Sequence, residues 1–134
     1  MAHDHEIYMI LADTAVELQD AEALGKYAPE LEKLASRDDH KLYLAIAHRA
    51  FGVKHRLVGE LAMAEARFMR ALELLDQLGA RWQLGRTLFE LGEVNLTLSP
   101  TKARDYYSQA LGHFEAINAV PYAERTRVAL ASLG

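Results

Sequence analysis

Apolar residues return along this chain at helical spacing, and polar or glycine punctuation cuts the pattern into seven stretches. From Glu6 to Leu18, the residues Ile7, Leu11, Ala15 and Leu18 share a helical spacing, with Glu6, Asp13 and Glu17 elsewhere around the turn. Asp20 is placed to cap a second helix carrying Ala23, Leu24, Tyr27, Leu31 and Leu34. Pro29 inside it removes a backbone donor and is expected to kink or restart the helix. After the polar run Ser36-Arg37-Asp38-Asp39, where either aspartate can accept from first-turn amides, a third helix carries Leu44, Ala47, Phe51 and His55 and stops at Gly59. The fourth has the cleanest stripe, Leu61, Ala64, Phe68, Ala71, Leu72, Leu75 and Leu78, ended by Gly79. A fifth, from about Arg81 to Leu98, offers Leu84, Leu88, Leu91 and Leu98. Ser99-Pro100 reads as a cap followed by a first-turn proline, whose missing amide costs nothing there, and opens a sixth helix with Ala103, Tyr107, Ala110, Leu111, Phe114 and Ile117. Pro121 begins a shorter seventh with Tyr122, Thr126, Ala129, Leu130 and Leu133 inward. No alternating strand pattern competes, so the expected fold is all-α.

The fourth and sixth stripes are copies. Ala64, Phe68, Ala71 and Leu72 return as Ala103, Tyr107, Ala110 and Leu111, and each set follows an apolar-glycine step, Phe51-Gly52 and Leu91-Gly92. The glycines are 40 residues apart and the other markers 39. A looser copy lies upstream: Leu11-Ala12 stands for the apolar-glycine step, and Ala23, Tyr27 and Leu31 precede Ala64, Phe68 and Leu72 by 41 residues. Such a period marks stacked helical hairpins. The expected organisation is one domain over 1–134, with hairpins at about 6–37, 39–79 and 81–118 and a closing helix at about 121–133.

These residues resemble the tetratricopeptide repeat, whose helix pair carries an apolar-glycine step in its first helix and small-aromatic-small positions in its second. The resemblance implies a right-handed α-α superhelix of three hairpins plus a C-terminal capping helix. In that family the glycine and small residues let the helices approach while the aromatic fills the gap between neighbours. Gly52 with Ala64, Phe68 and Ala71, and Gly92 with Ala103, Tyr107 and Ala110, match those roles. The chain departs from the family where His48 and His55, then Leu88 and Asn95, replace large aromatics early in the first helix. The proline that ends each unit is absent, and the period exceeds the usual length of about 34. Long hairpins ending in a turn such as Leu78-Gly79-Ala80 look like the repeat regions near the C-terminus of large bacterial signal-transduction ATPases and transcriptional activators.

What the resemblance implies about function is binding: a non-catalytic protein-protein interaction module, acting as a regulatory part of a larger signalling or transcriptional regulator. The alternative is a self-association module forming homodimers. The family's groove positions fall on Met9, Asp13 and Val16 of the first helix, Arg49, Val53 and Arg56 of the third, and Phe89, Glu93 and Leu96 of the fifth. Each set is spaced i, i+4, i+7, so each lies on one helix face, and the three faces are expected side by side. Phe89, Val53 and Met9 would form a floor for an amphipathic helix or extended peptide, with Arg49 and Arg56 clamping an acidic group. The competing expectation is that these residues pack against neighbouring helices or a second copy.

Composition narrows the classes further. A net charge of −4 gives no support to nucleic-acid binding, despite Arg49, Lys54, His55 and Arg56 on one helix, because phosphate affinity needs a basic excess. No apolar run is long enough for a membrane span, and MAHDHEIYM lacks a basic region followed by an apolar one. With no cysteine, disulfides, thiolate catalysis and zinc-thiolate sites are excluded, and a cytoplasmic location is expected. No cofactor or catalytic residue is expected: Glu60, Glu65 and Glu73 read as a solvated face, and the glycines are scattered rather than gathered in a phosphate loop. His48 and His55 are two turns apart, about 10 Å, too far to share one ion and better read as partly buried structural groups. His3 and His5, beside Asp4 and Glu6, read as a solvated tail. The run Ile7-Tyr8-Met9-Ile10-Leu11 is apolar all round and is expected to be covered by another chain or by upstream residues. At the other end the seventh helix, with Arg125 and Arg127 outside and Leu130 inside, serves as the cap.

Overall fold

The computed structural model describes residues 4–134. Among them the fold is all-α, with seven helices: α1 (Asp4–Leu18), α2 (Ala21–Arg37), α3 (Lys41–Leu57), α4 (Leu61–Leu78), α5 (Arg81–Leu98), α6 (Pro100–Ala116) and α7 (Val120–Ser132). None of these is long and apolar enough to cross a membrane. The helices gather into two compact units, Met1–Leu78 and Gly79–Gly134. In the first, α3 packs against α1, α2 and α4; in the second, α6 packs against α5 and α7.

The repeat is set by how the helices stop. Gln19, Asp39, Gly59 and Gly79 are spaced 20 residues apart, and all four adopt left-handed backbone, with φ of 51°, 49°, 85° and 63°. At Gln19 the amide donates to Val16 O (3.1 Å), and the next amide, Asp20 N, reaches back to Ala15 O (3.0 Å), which satisfies two carbonyls at the helix end. The same pair of bonds recurs at Asp39-His40, Gly59-Glu60 and Asn118-Ala119. The link between α5 and α6 breaks this rule. There a single residue, Ser99 (φ −160°), both ends α5 and caps α6, its hydroxyl accepting from Lys102 N at 3.4 Å. This link is two residues shorter than the one between α3 and α4, and α5 is one residue longer than α3, so the spacing of the copies falls from 40 to 39.

Only glycine adopts left-handed backbone without a Cβ clash, a penalty of about 1–2 kcal/mol for other residues. Gln19→Gly is therefore expected to stabilise the first unit by about 0.5–1 kcal/mol, and Gly59→Ala to destabilise it by about 1 kcal/mol. Urea denaturation followed by circular dichroism checks both signs, and a lower midpoint for Gln19→Gly would contradict the argument.

The interior of the hairpins follows from three glycines. A Cβ on Gly52 would stand 2.5 Å from the Phe68 ring, one on Gly92 2.6 Å from Tyr107, and one on Gly85 2.6 Å from Phe114. Each aromatic ring of the second helix thus occupies the space a side chain would take on the first. Gly85 lies one heptad before Gly92 and Phe114 one heptad after Tyr107, the register of an antiparallel pair. In the preceding hairpin those two slots hold Ala45 and Leu75, both fully buried.

Several expectations shift in register. In α2 the buried residues are Leu24, Ala28, Leu31 and Ala35, and in α4 they are Ala64, Phe68, Ala71 and Leu75, each 40 residues on. The first copy therefore aligns at 40, not 41, and Tyr27 lies beside the stripe instead of in the aromatic slot. In α1 the buried face is Ala12, Ala15 and Val16, whereas Ile7 and Leu18 are exposed. Leu78, Leu98 and Ile117, at helix ends, are exposed as well. α2 runs unbroken through Pro29, which sits on the solvent side of the helix where a freed carbonyl can be hydrated. Asp20 caps α2 as expected, accepting from Ala23 N at 3.1 Å. Neither Asp38 nor Asp39 caps α3. They are consumed in ending α2, and the cap is His40, whose Nδ1 accepts from Tyr43 N at 3.3 Å.

Candidate interaction site

In the first unit, the groove positions divide by burial. Val16, Arg49 and Val53 are buried; Met9, Asp13 and Arg56 are half-buried. Arg49 was expected to clamp an acidic ligand group, but its side chain is almost entirely enclosed and its Nη2 donates to Asp13 Oδ1 at 3.1 Å. An enclosed guanidinium tied to a carboxylate holds α3 to α1, and breaking such a pair leaves a buried charge uncompensated. The clamp role is thus taken by an internal partner. Met9 and Asp13, with Ile10, Thr14 and Glu17, line a shallow depression along α1.

Within the second unit, Phe89 is buried, not part of an open floor. Its ring meets Tyr107 edge-on at 5.3 Å, and the Arg125 guanidinium lies 4.8 Å from its centre, a cation-π contact between α7 and α5. Glu93 is half-buried, and Leu96 is exposed near the end of α5. Arg125 and Arg127 are exposed on α7 as expected. Arg127 pairs with Glu115 of α6 (2.8 Å) and with Glu124, contacts that solvent keeps weak.

A second titratable cluster, around the buried His48, was not legible as such in the sequence. Arg67 of α4 donates to Glu32 Oε2 of α2 (2.6 Å), stands 2.9 Å from His48 Nδ1 of α3, and lies over the Phe51 ring at 4.1 Å. A cationic guanidinium next to Nδ1 requires that nitrogen to accept, so the imidazole is neutral with its proton on Nε2. Burial, then the charges of Arg67 and Arg70, push the His48 pKa down to about 4, against the opposing pull of Glu32. A histidine this far below neutrality is not poised as a base near pH 7. The cluster locks three helices together. His48 was expected as a partly buried structural residue, and it lies inside; Glu32 and Arg67, remote from it in sequence, carried no signal of their own.

His55 and His5 are likewise engaged with neighbouring side chains. His55 Nδ1 is 2.9 Å from Glu60 Oε1 across the α3–α4 turn. His5 is not a solvated tail: its ring meets Tyr43 edge-on at 5.0 Å and His40 at 5.2 Å, and its Nε2 is 3.5 Å from Asp38. His3 lies outside the described residues. Among the described residues no three His, Asp or Glu side chains gather as a metal site. No protein-family model matches this chain, and no curated protein matches it significantly in sequence.

Proposed function

We propose that this chain is a non-catalytic, tetratricopeptide-like protein-interaction module that serves as a regulatory part of a larger signalling or transcriptional regulator. The observation that carries the reading is the repeated interlock of Gly52 with Phe68 and of Gly92 with Tyr107, one hairpin apart. Hairpins built this way commit their glycines and aromatics to internal packing, so binding falls to the remaining helix faces. The polar contacts support the same reading, because Arg49, His48, Arg67 and Glu32 are all engaged in holding helices together.

The accessible groove positions are then Met9, Asp13 and Arg56 in the first unit and Glu93 and Leu96 in the second. Arg56→Glu and Leu96→Glu, made separately, are expected to leave circular dichroism unchanged and to lose a partner that the native chain captures from its source cells. A partner retained at full yield by both variants would move the binding surface elsewhere on the module.

A further inference from the structure

Asp20 and Ser99 cap α2 and α6 with oxygen acceptors, but α3 is capped by an imidazole, His40, whose Nδ1 accepts from Tyr43 N at 3.3 Å. Imidazole is the side chain whose ordinary charge change falls between about pH 5 and 8. Only one of its two charge states can cap. The neutral ring offers an unprotonated Nδ1, whereas the imidazolium carries a proton on both nitrogens and has nothing to accept with. The positive end of the α3 dipole opposes the imidazolium as well. No acidic residue stands in the first turn of α3 to replace the lost acceptor.

The capping ring is also the platform on which α1 rests. It lies flat on Tyr43, with ring centres 3.9 Å apart and planes 10° from parallel. His5 of α1 sits on both rings, edge-on to Tyr43 at 5.0 Å and 5.2 Å from His40. The charged groups around them are Asp4 on α1, Arg37, Asp38 and Asp39 at the end of α2, and Lys41 on α3. His5 Nε2 is 3.5 Å from Asp38. The hydrogen-bonded Arg37 guanidinium holds the Asp38 carboxyl below its ordinary value, so it is anionic while histidines titrate. Both of its oxygens already accept from Arg37, and such exposed pairs hold weakly, so Asp38 is a poor substitute for the stack in retaining α1. We propose that His40 is a pH-sensitive latch: the neutral ring caps α3 and holds the first turn of α1 through His5, and protonation breaks the cap and frees that turn. The latch goes beyond the role proposed for the chain in binding and does not depend on it.

NMR of the whole chain at about pH 7.5 and about pH 5.5 brackets the imidazole range and tests the latch. The Tyr43 amide, which donates to His40, is expected to lose about fivefold of its protection from hydrogen exchange in acid, after correction for intrinsic exchange, as the loss of a typical cap implies. Contacts between the ring protons of His5 and Tyr43 should fade over the same range. His40→Asn keeps a capping acceptor that takes up no proton, so at the acid pH it should retain both the protection of Tyr43 and its ring contacts. His48 is present in both chains, so its effect cancels in the comparison. Equal protection of Tyr43 at both pH values in the native chain would overturn the latch, as would a loss that His40→Asn leaves unchanged. Loss of protection with the contacts between His5 and Tyr43 retained would overturn the release of α1.

Discussion

Phe68→Ala is expected to cost the first unit about 3–5 kcal/mol, since a fully buried phenyl ring is removed and the cavity it leaves can collapse only partly. Gly52→Ala attacks the same contact from the other side. Alanine favours a helix by about 1 kcal/mol over glycine, but its Cβ would meet the Phe68 ring at 2.5 Å, far inside contact distance. Overpacking of this kind costs about 1–3 kcal/mol, so the net change is a loss. The pair decides the mechanism. With Phe68 already truncated, the clash has nothing to meet and the helix preference remains, so Gly52→Ala should become stabilising in the Phe68→Ala background. A double-mutant cycle should therefore show coupling of about 1–3 kcal/mol. Urea denaturation is best followed by far-UV circular dichroism, because the single tryptophan, Trp82, lies in the other unit. Simple additivity would mean that Gly52 is glycine for a reason other than the ring.

The same contact explains why the fold was legible and the candidate site only partly so. Helix boundaries were readable because the stop signals are local: Gly59 and Gly79 take left-handed backbone, and Asp20 and Ser99 cap through their own side chains. The glycine-aromatic pairs were readable because each repeats in register. The face of α1 was not, for a physical reason. Ile7, Leu11, Ala15 and Leu18 form one apolar face and Ala12, Ala15 and Val16 another, with Ala15 common to both, and periodicity alone gives no preference between them. The structure buries the smaller residues, which admit the closer helix approach. Arg49 misled in a similar way. Its charge suggested a ligand clamp, but its partner Asp13 lies 36 residues upstream, a pairing that only the packing of α1 on α3 creates. His40 as a cap had no sequence signature, since imidazole is an unusual acceptor at a helix start and Asp38 and Asp39 stood beside it with the customary chemistry.

Acidification should weaken the first unit through His48. In the unfolded chain this histidine titrates near its ordinary value of 6.5, whereas in the fold burial and the charges of Arg67 and Arg70 hold it down to about 4. The unfolded state therefore binds more protons throughout the window between those values, and stability falls as pH falls through it. The contribution is fully present above pH 6.5 and is exhausted below about 4. Between pH 7 and pH 5, the loss from this one group is about 2 kcal/mol, with the comparison kept above the ordinary carboxylate range. Glu32 is the group that limits the shift, as the carboxylate near His48 favouring its charged form. Two variants turn the argument into a measurement. His48→Gln removes the titration, so its urea stability should change by about 2 kcal/mol less than the native chain between those pH values. Glu32→Gln removes the opposing charge, so an NMR titration should place the His48 pKa lower still. A native pH slope that His48→Gln leaves intact would show that the acid sensitivity of the unit arises from other groups, and that the imidazole is solvated well enough to take up its proton inside the fold.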